Sequence, residues 1–176
     1  PPREWLSGYA EIVKTALLGD SDFFTWLEIN ADKILEKNAV TVMRAIEKSC
    51  NMKADIVAQD EHEENGMRAK LNLGHTFAHA FENLCGYGST LLHGEAVGIG
   101  LVLAARLSHE LGHLSEKDVL RVTYHLQKMG MKTEIHQIGL PEGTTVENII
   151  DLMRKDKKST QHGMVFVIMT RIGDAE

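Results

Sequence analysis

Proline and glycine punctuation is sparse before residue 86, and apolar residues along that stretch recur at helical rather than strand spacing. A chain with this pattern buries its apolar side chains by packing helix on helix, so the class it implies is mainly α. The spacing predicts a first helix over roughly 6–18, ended by Gly19, then a short one behind an N-cap at Ser21 that carries Phe23, Phe24 and Leu27. A long helix over about 38–58 sets Met43, Ile46, Cys50, Lys53 and Val57 on one continuous face. The charged stretch Asp60 to Gly66 reads as a loop or the start of a helix. Further helices are expected over about 67–85, 94–113, 116–129 and 144–154. Gly86 to Thr90 forms a turn between the first two of these, and Ser115 caps the third. The β-branched run Val165 to Met169 is the best strand candidate.

The chain of 176 residues is long enough for one good core, so a single domain over 1–176 is expected. Its formal charge of -6, from 19 basic and 25 acidic residues, provides no basic stripe for phosphate neutralisation and argues against a nucleic-acid partner. A small anionic substrate held by a few cations is compatible with it. No apolar run approaches the roughly 20 residues of a membrane helix, so no membrane partner is expected. Cys50 and Cys85 lack metal-ligand spacing and are too few for a disulfide scaffold. Their apolar neighbours predict buried free thiols in a reducing cytoplasm. No signal or transit peptide pattern is visible. The chain opens on Pro1-Pro2-Arg3 without an initiator Met and reads as a piece of a longer protein.

The chemistry is concentrated between Arg68 and Glu82. Arg68, Asn72, His75, His79 and Glu82 step by 4, 3, 4 and 3, which puts them on one face of a continuous helix. Leu71, Gly74, Ala78, Phe81 and Cys85 form a second stripe. A solvated face is normally built from Lys and Glu, whereas Arg, Asn and His suit a polar cleft of ligands, acids and donors. His75 and His79 could both reach one cation, and imidazole suits zinc or a similar divalent metal. A hairpin through the glycine-rich turn could bring His93 back beside them. Lys14 shares a side of the first helix with Glu11. Lys53 interrupts an apolar stripe, where a lysine is costly unless paired or reaching water.

His109-Glu110-Leu111-Gly112-His113 fits the zinc-peptidase spacing HExxH. It needs a third ligand, for which Glu147 is a distant candidate, and Glu116 and Val119 stand where one peptidase class continues with Gly and His. Arg106, His109, Glu110 and His113 lie opposite Leu103, Leu107 and Leu111, the layout of an ordinary amphipathic helix. Coincidence is the better reading.

The string from Leu71-Asn72-Leu73-Gly74-His75 to His79-Ala80-Phe81-Glu82, with Gly86-Tyr87-Gly88 and Leu92-His93-Gly94-Glu95, closely resembles the 3-dehydroquinate synthase family. So do Gly8 to Lys14, Lys53 to Val57, Asp60 to Glu63, Gly66 to Arg68, and Asp156-Lys157-Lys158. Ala78 replaces a commoner Gly, and His62 stands where Arg is frequent. The resemblance implies the helical, metal-binding C-terminal half of a two-domain enzyme whose N-terminal α/β domain binds NAD. It implies Zn2+ or Co2+ on Glu11, His75 and His93, with His79 moved from ligand to substrate contact. It also implies catalytic and substrate-binding roles for Lys14, Lys53, Glu63, Arg68, Asn72, His79, Lys157 and Lys158. Lys53 and Arg68 suit a carboxylate, Lys14, Asn72 and His79 suit hydroxyls or proton relay, and Lys157 or Lys158 suits a phosphate.

The family substrate is a small phosphorylated sugar acid, 3-deoxy-arabino-heptulosonate 7-phosphate. The family converts it to 3-dehydroquinate and phosphate in the cytoplasm, in the shikimate pathway, as a homodimer. Transient oxidation by NAD, phosphate elimination, re-reduction and an intramolecular aldol closure make up the implied sequence. Related sugar phosphate cyclases such as 2-deoxy-scyllo-inosose synthase share the fold, and the set Lys53, Arg68 and His79 favours a carboxylate-bearing substrate, hence dehydroquinate synthase. No strand–GxGxxG–helix unit is found here, so this chain alone is expected to be inactive.

Overall fold

In a computed structural model, which describes residues 2–62, 66–156 and 164–176, the first helix is the element on which the others converge. Helix α1 spans Pro2–Gly19 and buries Tyr9, Ala10, Val13, Lys14, Ala16 and Leu17. Asp20, not Ser21, caps the next helix. Its carboxylate accepts a hydrogen bond from the Phe23 amide at 2.8 Å, and α2 runs over Ser21–Ile29. A short α3, Ala31–Leu35, leads into α4, Ala39–Gln59, capped by Asn38.

The region expected as one helix over 67–85 is divided. Arg68–Asn72 form a 3-10 turn, Gly74 takes a left-handed φ of 77°, and α5 runs only over His75–Leu84. The break is a packing requirement. A Cβ on Gly74 would lie 2.9 Å from the backbone of Gly100 and Leu101, so the chain crosses the next long helix there at backbone distance. That helix, α6, spans His93–Glu110 and is buried from Ala96 to Val102. Each large apolar side chain buried on α6 contributes about 1.5–3 kcal/mol. Helix α7, Glu116–Lys128, starts at Ser115 as expected, with the Ser115 hydroxyl accepting from the Asp118 amide.

A 3-10 turn at Ile135–Gln137 precedes α8, Val146–Asp156. The expected strand over 165–169 begins late. β1, Met169–Arg171, pairs antiparallel with β2, Asp174–Ala175, at the end of the chain. Phe24, Leu27, Phe81, Ile99, Leu101, Leu126 and Met169 join the α1 residues in one buried cluster. The cysteines depart from expectation. Both are free, but Cys50 is exposed, because its stripe of α4 faces outward, and Cys85, at the C-terminal end of α5, is only half-buried. Met43 and Ile46 on that stripe are exposed too. Among the described residues no helix is long and apolar enough to cross a membrane.

Candidate metal centre

Three elements that are adjacent in the core, α1, α5 and α6, each direct one donor to the same point. Glu11 projects from the middle of α1, His75 opens α5, and His93 opens α6. One ligand atom from each lies within 4.8 Å of the others. The Nε2 atoms of His75 and His93 both stand 3.6 Å from Oε1 of Glu11. That oxygen is buried and, among the described residues, accepts no hydrogen bond, an arrangement that is costly for a carboxylate unless a cation serves it.

The tautomers follow from the other ring nitrogens. Nδ1 of His75 is 3.2 Å from the Leu73 carbonyl, which can only accept, so Nδ1 carries the proton and Nε2 keeps its lone pair. Nδ1 of His93 is 2.9 Å from Oε1 of Glu82, and the same logic applies. The second oxygen of Glu11 accepts from the Lys14 ammonium at 2.7 Å. Carboxylate and imidazole nitrogens in this number and orientation are the donor chemistry of a divalent zinc-type ion with open positions.

The charge states of Glu11 and His75 agree with this. Burial pushes the Glu11 carboxyl up, but neighbouring His93, Lys14 and His75 overcome it and hold it at about 2. Burial and the Lys14 charge lower His75 to about 4, leaving its Nε2 unprotonated at neutral pH. Glu11 and then Glu82 raise His93, against the effect of its partial burial. Burial lowers Lys14 despite its pairing with Glu11.

Two close approaches fix the histidines. Gly74 precedes His75 and meets the Gly100 backbone, while Gly94 follows His93 and meets Ser7, where an added Cβ would lie 2.2 Å from the carbonyl oxygen. Ser7 also accepts a hydrogen bond from the Gly94 amide. Glu95 clamps the same helix start, accepting from the Leu92 amide and from Arg3 of α1.

The remaining sequence candidates divide into groups. Lys53 is exposed on α4 and lines a mainly apolar cavity of about 430 Å³ with Glu11, Ile12, Trp5 and Ser49. Arg68 lies in the 3-10 turn, its amide donating to the buried Asp60 carboxylate and its guanidinium to the Glu61 carbonyl. The five-residue face expected from Arg68 to Glu82 is therefore not one face. Arg68 and exposed Asn72 precede the Gly74 break, while His75, His79 and Glu82 follow it. His79 packs edge-on against His75, with ring centroids 5.5 Å apart, but it stands outside the three-donor cluster. It lines a separate cavity of about 250 Å³ with Asn83, Tyr87 and Lys155. Glu63, Lys157 and Lys158 lie outside the described residues.

The HExxH string does not form a site. Helix α6 ends at Glu110, His109 turns its Nδ1 onto the Leu114 carbonyl, and His113 is exposed beyond the helix end. Spacing alone left Glu82 without a role, although it sits on the polar stripe of α5. Glutamate is so common on solvated helix faces that its identity carried no signal.

The fold recurs within longer solved enzymes. A 2-epi-5-epi-valiolone synthase from Streptomyces hygroscopicus subsp. jinggangensis 5008, solved with NAD+ and Zn2+ bound, superimposes with a TM-score of 0.82 at 24% identity. The match covers 100% of this chain and 47% of that one. A 2-deoxy-scyllo-inosose synthase complexed with carbaglucose-6-phosphate, NAD+ and Co2+ gives 0.74 at 23% identity, over 100% of this chain and 47% of its own. The 3-dehydroquinate synthase C-terminal family model matches residues 8–159, and the chain belongs to that family. The 3-dehydroquinate synthase of Ruegeria sp. (strain TM1040) is 47% identical over 98% of this chain and 46% of its own length. That of Roseobacter denitrificans (strain ATCC 33942 / OCh 114) is 46% identical over the same shares. The chain spans about half the length of the curated relatives it matches.

Proposed function

We propose that this chain is the metal- and substrate-binding half of a 3-dehydroquinate synthase, a phosphate-eliminating carbon–oxygen lyase. Its substrate would be 3-deoxy-arabino-heptulosonate 7-phosphate, in the shikimate route to aromatic amino acids. The observation that carries the reading is the convergence of Glu11, His75 and His93, with one buried Glu11 oxygen that no donor among the described residues serves. These three residues would hold Zn2+ or Co2+, which when bound supplies a Lewis acid that orients and acidifies substrate hydroxyls. NAD would be held by an α/β half outside residues 1–176 and supplies the transient oxidation that acidifies the C–H next to the oxidised carbon.

The chain's own groups divide the remaining work. Lys14 donates to one oxygen of Glu11 and leaves the other free to ligate. It also neutralises charge beside the substrate hydroxyls. Lys53, at the mouth of the cavity it shares with Glu11, and Arg68 with its planar fork would take the substrate carboxylate. Asn72 and His79 would contact hydroxyls or move protons between them. The cavity of His79 and Lys155 would face the phosphate end, with Lys157 or Lys158 following directly in sequence. Glu63 belongs to the same proposed set. A cytoplasmic homodimer is the assembly and place that fit the family.

Metal content of the purified chain tests the site. Stoichiometric metal in the wild type and in His109→Ala, lost in His75→Ala, is the expected result. Loss with His109 and retention with His75 would overturn it. For substrate choice, the complete two-domain enzyme should release phosphate from the heptulosonate phosphate and not from a hexose 6-phosphate, which offers Lys53 and Arg68 no carboxylate.

A further inference from the structure

The two proposed imidazole ligands are held by different means. His75 is 12% exposed at its side chain and donates its Nδ1 proton to a backbone carbonyl, so its orientation is built into the fold. His93 is 45% exposed, at the first turn of α6, and among the described residues its ring has no such backbone partner. What holds its ring is the Glu82 carboxylate, 2.9 Å from Nδ1 and 13% exposed. Glu82 stands seven residues after His75, two turns along the same face of α5, so one helix carries a ligand and the support of another ligand.

We infer that Glu82 is the positioning residue of the metal centre: its carboxylate fixes the Nδ1–H tautomer and the ring orientation of His93 so that Nε2 meets Oε1 of Glu11. This rests on the metal reading above. A carboxylate behind a ligating imidazole also raises the basicity of the far nitrogen, and removal of such partners costs 10–100-fold in metal affinity. A half-exposed histidine at a helix start has several rotamers open to it, and only a specific acceptor selects one. Glu82 touches neither substrate nor metal in this role and acts through His93 alone.

Zinc affinity by chelator competition tests the inference, using wild type, Glu82→Ala, Glu82→Gln and His93→Ala of the full chain. The imidazole N–H resonances of the zinc-loaded proteins are read alongside. Glu82→Ala should weaken zinc binding about 10–100-fold. Glu82→Gln, which keeps an acceptor oxygen without the charge, should recover part of that loss. The His93 Nδ1–H resonance should move upfield in both variants while that of His75, bonded to Leu73, stays in place. A Glu82→Gln protein that melts like the wild type keeps the comparison valid if the Ala variant is less stable. Wild-type affinity and an unmoved His93 resonance in both Glu82 variants would overturn the positioning role and leave the metal site standing. Failure of the wild type to bind zinc, or wild-type binding by His93→Ala, would overturn the metal reading and this inference with it.

Discussion

His125 is buried at 2% exposure, outside the Glu11 cluster, with its Nε2 2.8 Å from the Tyr9 hydroxyl and its ring edge-on to Phe24. Burial lowers it to about 4, opposed by Glu28 and aided by Lys128. An unfolded histidine titrates near 6.5, so between these values the unfolded chain binds more protons than the native one. Stability from keeping this ring neutral is therefore complete above the unfolded value and is lost as pH falls toward the folded one. The loss is on the order of 3 kcal/mol. His75 is lowered to a similar value, so the useful comparison is between variants. His125→Gln retains a partner for Tyr9 and does not titrate. Denaturant unfolding at about pH 7.5 and about pH 4.5 should show a stability drop about 2–3 kcal/mol smaller in this variant than in the wild type. Equal drops would mean that His125 is not the group that matters. At this scale the sequence was legible where residue types were unusual for their position. Histidines on a helix face stood out, whereas Glu11 was found through family likeness, and Glu82 and the Tyr9–His125 pair looked like ordinary helix residues.

Helix positions were legible to within a few residues, because the apolar period and caps such as Ser115 are local signals. What was not legible was any feature set by a distant backbone. Leu71 to Phe81 has an unbroken helical period, yet the chain turns at Gly74 because the Gly100 backbone occupies the space a Cβ would need. Gly94 shows what such contacts do for the site. It lies one residue from His93 and against the Ser7 backbone of α1, four residues from Glu11. Gly94→Ala must push α6 off α1, and overpacking of this kind costs about 1–3 kcal/mol, occasionally more. The displacement also separates His93 from Glu11, so zinc affinity should fall along with the melting temperature. Gly112→Ala makes a control, because its positive φ is strained by a side chain while nothing lies within 4 Å of the added Cβ. It should lower stability and leave zinc affinity unchanged. Calorimetry and chelator competition on both variants separate the two effects, and unchanged affinity in Gly94→Ala would refute the link.

For the molecule as a whole, the three proposed ligands belong to the elements that make its core. Glu11 is flanked on α1 by buried Ala10 and Val13, His75 opens the helix that buries Ala78 and Phe81, and His93 opens the largely buried α6. A metal on peripheral elements could be released by local opening while the core stayed folded. A metal tying α1, α5 and α6 together is released only when their packing is lost, so its binding energy should be read out in global unfolding. With free zinc at 100 times the dissociation constant, the native state gains about 2.7 kcal/mol. For a chain of this length each kcal/mol moves the melting temperature by about 2–4 °C, so zinc should raise the transition by about 5–10 °C and a chelator should reverse it. The shift should vanish in His75→Ala, whose ring contributes a donor to the cluster, and persist in His109→Ala, whose ring is turned onto the Leu114 carbonyl. If zinc raised the transition equally in His75→Ala, the stabilising ion would be binding elsewhere. If metal dissociated well below an unchanged transition in the wild type, the site would be open to local release, and α1, α5 and α6 would not be coupled through it.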